Sequence, residues 1–255
     1  MVAIVAAGAV ALVVGVPGAP SEGEDTPVKV ERPKPSPTLR PASTPGSNPG
    51  SSPELSPTPA ATPTPPPPII RGFRYPIEGA CLPAEDDLIP NAPREYRLGV
   101  HEGVDFYPGR ACATIERGMP VLAARTGIVV RADVDYKEIT QEEMDGLLGR
   151  SAQEGSTPPE VLDRLRGRQV WIDQGDGVVT RYCHLLSVEP GVTEGVAVAT
   201  GQVVGRVGNS GTPEGVTDPN MENHLHFEIR VGDSFLGQGL SAAETRLLWE
   251  GAFSP

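Results

Sequence analysis

The chain carries four histidines in 255 residues, and all four stand in short strings suited to holding a metal. His101 opens HEGVD, which ends in Asp105. His184 closes RYCH, and His224 and His226 flank Leu225 in NHLHFEI. Imidazole and carboxylate are donors that zinc accepts, and a structural zinc site leaves none of its donors over. More candidate donors than one tetrahedral ion needs therefore point to a catalytic site, with spare imidazoles left to move protons. The cysteines, Cys81, Cys112 and Cys183, form no C-x-x-C, which argues against a thiolate zinc site.

Strand parity sorts these residues. Residues two apart on a strand share a face, so His224 and His226 project together while Leu225 and Phe227 turn to the core. The same alternation puts Tyr182 with His184 and turns Cys183 away, so Cys183 reads as a small core residue rather than a nucleophile. His101 and Asp105 are four apart, roughly 13 Å on a straight strand, too far for one ion. A bend is needed, and Gly103 offers the freedom for it. A helix would also bring the pair together, but GVHEGVDFYPG is a poor helix former, so a bent loop entering a strand is expected. Glu102 and Glu228 are rival general bases. Glu102 lies in the bend and Glu228 falls about 7 Å along the strand from His226, so both read as supporting or solvated carboxylates.

The elements that must position this set read as mainly β. VLAARTGIVVRADV, RQVWIDQGDGVVTRYCHLL, VAVATGQVVGRVG and HLHFEIRVG are β-rich runs punctuated by turn residues. Capping-box spacings at Thr140–Glu143 and Thr157–Glu160 predict a helical insertion over 136–167, and Ser241–Glu244 a short C-terminal helix stopped at Gly251. An antiparallel, sandwich-like β domain with a groove, one helical insertion and a terminal helix is the expected fold.

Composition divides the chain. Of 29 prolines, 17 lie in residues 1–68, so 21–68 reads as a disordered Pro/Ser/Thr linker with a reach of roughly 150 Å if extended. Residues 1–19 carry no charge, and 1–20 reads as a signal or membrane-anchor segment. That predicts a secreted or anchored protein of the cell envelope, touching membrane only through this segment. An oxidising compartment lets two cysteines pair, and a Cys81–Cys112 bridge would enclose HEGVD. The folded part is 69–255. Net charge is −12, which disfavours nucleic acid as partner and favours retaining a cation.

H-x-x-x-D, then YCHL, then GNSG followed by HLHFEI resembles the LytM/lysostaphin-type zinc metallo-endopeptidases, which cut peptide cross-links in bacterial peptidoglycan. The resemblance covers about 71–240 and includes GMPVLAARTGIVV and GVAVATGQVVGRVG. It implies a duplicated hybrid motif, one Zn2+ held by His101, Asp105 and His226, catalytic roles for His184 and His224, and peptidoglycan stems and cross-links as partners. A domain on a flexible tether needs no partner subunit, so a monomer is expected. The insertion 136–167 departs from the short turn usual there. Its plainer reading is a surface helix pair, and the alternative is a wall or gate of the substrate groove. TPEGVTDPNMEN is also longer than the usual connection before HLHF. The competing function is a non-catalytic wall-binding or amidase-activating module of the same fold.

Overall fold

The computed structural model describes residues 70–255. The segments 1–20 and 21–68 lie outside the described residues. In chain order the first strands are β1 (Pro93–Arg94), β2 (Gly99–Val100), β3 (Val104–Phe106), β4 (Pro120–Leu122) and β5 (Gly127–Ala132). Two helices follow, α1 (Gln141–Glu154) and α2 (Pro159–Leu165), then β6 (Val170–Asp173), β7 (Val178–Cys183), β8 (Leu185–Val188), β9 (Ala197–Val198) and β10 (Val203–Val207). The chain closes with α3 (Pro213–Thr217), β11 (Leu225–Val231), β12 (Ser234–Phe235) and α4 (Ala242–Ala252).

The strands form a mainly antiparallel β architecture. The largest sheet has seven strands, with β12-β11-β7-β6-β5-β9 in order and β3 also paired to β11. A second sheet orders β4-β10-β8, and β1 pairs with β2. Alternation along β11 sends Leu225, Phe227 and Ile229 into a core shared with Tyr182, Phe106 and Trp249. Burying a side chain of this size contributes about 2–3 kcal/mol. Tyr182 is wholly buried, and its hydroxyl accepts a 2.7 Å hydrogen bond from the Ala124 N–H. α4 closes the core through Trp249, whose indole donates to the Leu236 carbonyl.

Helix starts follow local chemistry. Thr140 caps α1 by accepting from the Glu143 N–H, and Ser241 with Glu244 completes a reciprocal capping box on α4. Thr157 does not cap α2. Pro158 takes that place, and the Thr157 hydroxyl turns away to donate to the Arg97 carbonyl. The two helices build a small core of their own, Ile139, Met144, Val161 and Leu165, fastened by Arg164 on Glu143 and Arg131 on Asp163. Among the described residues no helix is long and apolar enough to cross a membrane.

Cys81 and Cys112 are joined in a disulfide, 5.4 Å apart at Cα, and Cys183 is free and buried. The bridge encloses the segment bearing His101 and Asp105.

Candidate metal centre

Register brings the first three donors together. His226 on β11 lies directly opposite Asp105 on β3, and opposite Cys183 on its other side in β7. His101 precedes β3 in a bend whose backbone pairs with Asn91 and Ala92. The bend depends on Gly103 through close approach rather than through an unusual backbone angle. A Cβ there would sit 2.9 Å from the Phe227 carbonyl carbon and closer still to its oxygen. Folded this way, His101 Nε2 comes to 2.9 Å from Asp105 Oδ1, against roughly 13 Å on a straight strand.

Each ring of this cluster has a hydrogen-bond acceptor behind it. His101 Nδ1 is 3.1 Å from the Ile89 carbonyl, so it donates there and leaves Nε2 as a bare lone pair. His226 is reversed: Nε2 faces Glu228 Oε1 at 3.1 Å, and Nδ1 faces the cluster. The two nitrogens that face each other are 2.9 Å apart, and Asp105 Oδ1 lies 2.7 Å from His226 Nδ1. His101 Nε2, His226 Nδ1 and Asp105 Oδ1 thus converge into one set of atoms close enough to share a single cation. The donor set, two imidazole nitrogens and one carboxylate oxygen, fits zinc with a position left open. Burial opposes charge on His226, yet the Asp105 and Glu228 carboxylates outweigh it and raise its pKa. Burial alone would raise the Asp105 carboxyl, but His101 and His226 hold it well below the usual carboxylate range. Both shifts express the same demand for positive charge.

His184 and His224 line the same groove and follow the same logic. His184 Nδ1 donates to the Ser210 carbonyl and His224 Nδ1 to the Glu222 carbonyl, each at 2.8 Å, so both present Nε2 with a free lone pair. Their ring centres are 4.8 Å apart, and Tyr107 stacks on His224 at 4.1 Å. Burial lowers both pKa values, which keeps the rings neutral. The route by which His184 arrives differs from simple alternation. Tyr182 faces the core opposite Phe227, and Cys183 shares the site face with His226. Continued parity would bury His184 in the core. A positive φ of 60° at His184 turns its ring into the groove instead.

Behind the donors lies a layer of ion pairs. Arg94 donates to Asp105 Oδ2 at 3.0 Å, which leaves Oδ1 to face the cluster. Glu228 is fully buried, and burial would raise its pKa, but Arg166 at 2.6 Å and the His226 ring keep it ionised. Arg166 and Arg230 both hold Glu102 at 2.6 Å. Neither carboxylate is free to act as a base. A second set of donors, Cys183, His226 and Glu228, is also close enough to share an ion. It fits less well: burial first, then Glu228, pushes the Cys183 thiol up, and Glu228 is committed to Arg166.

The groove holds about 630 Å³. Leu148 of α1 with Leu162 and Leu165 of α2 forms one side of it, so the helical insertion is no mere surface ornament. The other long connection supplies Thr212, Pro213, Glu214 and Glu222, and contains the short helix α3, capped by Thr212. Val216 of α3 packs on the insertion's small core, joining the two departures beside the site. Sequence reasoning missed Arg94, Tyr107 and Arg166. Tyr107 stood two residues beyond Asp105 and was open to the parity argument, whereas the two arginines carried no local signal.

Residues 99–237 match Peptidase family M23, which takes in more than half of the chain. The chain belongs to peptidase family M23. Its LytM/lysostaphin-type resemblance and mainly antiparallel β fold agree with that membership. Solved structures similar to this M23 chain include a zinc-containing peptidase from Vibrio cholerae, with 21% identity over 65% of this chain and a TM-score of 0.40. This match spans 38% of the Vibrio chain. Others are the catalytic domain of lysostaphin from Staphylococcus simulans (23% identity, TM-score 0.32, covering 56% of this chain and 72% of that one) and the catalytic domain of the prophage-encoded M23 protein EnpA from Enterococcus faecalis (21%, 0.33, 53% and 74%).

Proposed function

We propose that this M23 peptidase is a zinc-dependent endopeptidase hydrolysing the peptide cross-links of bacterial peptidoglycan, acting in the cell envelope on a tether formed by its N-terminal segments. The observation that carries the reading is the convergence of two imidazole nitrogens and a carboxylate oxygen beside two further imidazoles that line the same groove. A wall-binding module without chemistry has no use for that second pair.

His101 Nε2, Asp105 Oδ1 and His226 Nδ1 would hold the ion. Zinc, when bound, supplies Lewis acidity, bringing a water's pKa from about 15.7 to about 7. The protein's part is to place and move protons. His184 and His224 enter neutral, so one can take the proton of the attacking water at Nε2. Once protonated, such a ring can steady the tetrahedral oxyanion or return the proton to the leaving amine. Tyr107 fixes the plane of His224. Arg94 and Arg110 line the groove together with Asp87, Glu214 and Glu222, a mixed lining suited to stem peptides that bear both carboxylates and amines.

The test is digestion of purified cross-linked muropeptides from several wall types, with products read by mass spectrometry. New amine termini, lost on chelation and restored by zinc, are expected. Zinc-loaded protein that releases none from any wall type overturns the proposal.

A further inference from the structure

We infer that Arg166, the residue that closes the helical insertion, is a positioning residue for the metal centre, acting on His226 through Glu228. The inference rests on the metal-site reading above. Arg166 is 6% exposed and follows α2 directly as its C-terminal cap. Its guanidinium forks between two carboxylates, with Nε to Glu228 Oε1 and one terminal nitrogen to Glu102 Oε2, each at 2.6 Å. Glu228 Oε1 is the same oxygen that accepts from His226 Nε2. With an ion held at Nδ1, that acceptor is the partner that keeps the His226 proton on Nε2 and sets the plane of the ring.

Arg181 and Arg230 also reach Glu228, but at 3.5 and 3.4 Å and on the other oxygen, Oε2. Among the described residues, Arg166 alone of the three arginines holds the oxygen that His226 uses. Its main chain serves the other half of the site, since the Arg166 carbonyl accepts from the His184 N–H at 2.9 Å. The next residue, Gly167, lies so close against Ser210 that a side chain there would overlap the Ser210 carbonyl, which is the acceptor for the His184 ring. The end of the insertion is therefore keyed into the frame of both histidines. Outer partners of metal-bound histidines typically change metal affinity by about 10–100-fold when removed.

The experiment measures zinc affinity of the 255-residue chain by competition with a chromophoric chelator, and the visible spectrum of the cobalt-loaded form. The unfolding midpoint of the metal-free protein is recorded alongside. R166M is expected to bind zinc roughly 10–100-fold more weakly and to shift the cobalt spectrum. R166K keeps the charge and stem but not the fork, so an intermediate loss is expected, and it carries the test where Met destabilises the fold. E228Q keeps an acceptor for His226 but removes the charge that Arg166 grips, so R166M adds little further loss on that background. R150M, in an exposed pair on α1, binds as wild type. Wild-type affinity in R166M and R166K, additive losses with E228Q, or losses that merely track the unfolding midpoint each overturn the inference. A wild-type chain that binds no zinc instead overturns the proposed function.

Discussion

Replacing Gly103 by Ala inserts one methyl group where β11 leaves no room. The new Cβ would lie 2.9 Å from the Phe227 carbonyl carbon, against about 3.5 Å or more for a relaxed contact. The oxygen is closer still, so β3 and β11 must separate by roughly 1 Å beside the pair that places Asp105 opposite His226. Neither backbone can rotate away as a side chain would. Overpacking of this kind costs about 1–3 kcal/mol, and a weakened ladder hydrogen bond about 1 kcal/mol more. We expect G103A to lose about 3 kcal/mol in urea unfolding of the metal-free protein. Zinc affinity should fall by at least tenfold, because the bend is what carries His101 back to Asp105. A variant with unchanged stability and unchanged zinc affinity would refute the idea that close approach at Gly103 sets the bend.

The two classes of histidine separate by mutation: H184A should retain one zinc per chain and lose turnover by about 10²–10⁴-fold, whereas H226A should lose both. If H184A sheds its metal, the division of roles is wrong. Burial lowers the pKa of His184 and His224, so their neutral, proton-accepting forms persist below pH 6.5. The acid limb of kcat/KM should therefore fall below the ordinary histidine pKa, and a limb at or above 6.5 would count against either ring as base. Thiol titration should find no reactive cysteine in the native protein and one after denaturation without reductant, because Cys183 is buried and the other two are bridged. Replacing both bridged cysteines by Ser should cost about 2–4 kcal/mol for a closed loop of this length. An unchanged unfolding midpoint would show that the loop around His101 holds its shape unaided.

Much of the candidate site was legible because its signals are local. Two-residue parity suffices for His224 and His226, whose partner residues Leu225 and Phe227 are core residues in the fold. The need for a bend between His101 and Asp105 followed from distance alone, although the role of Gly103 proved to be steric rather than conformational. Parity misled at His184, where one residue of positive φ reverses the facing that alternation assigns. Thr157 had the spacing of a helix cap, but a long-range hydrogen bond to Arg97 claims its hydroxyl. Arg166 was invisible for a different reason. It stands 62 residues from Glu228, and only packing of the insertion against the sheet joins them. The segments 1–20 and 21–68, with the envelope location they suggest, rest on composition alone.

Zinc K-edge X-ray absorption on the loaded chain tests the central claim most directly, since a rival donor set containing Cys183 lies alongside the proposed one. One zinc per chain is expected, with only nitrogen and oxygen neighbours at about 2.0–2.2 Å, two of them imidazoles. A sulfur neighbour at about 2.3 Å, or three or more imidazoles, would contradict it.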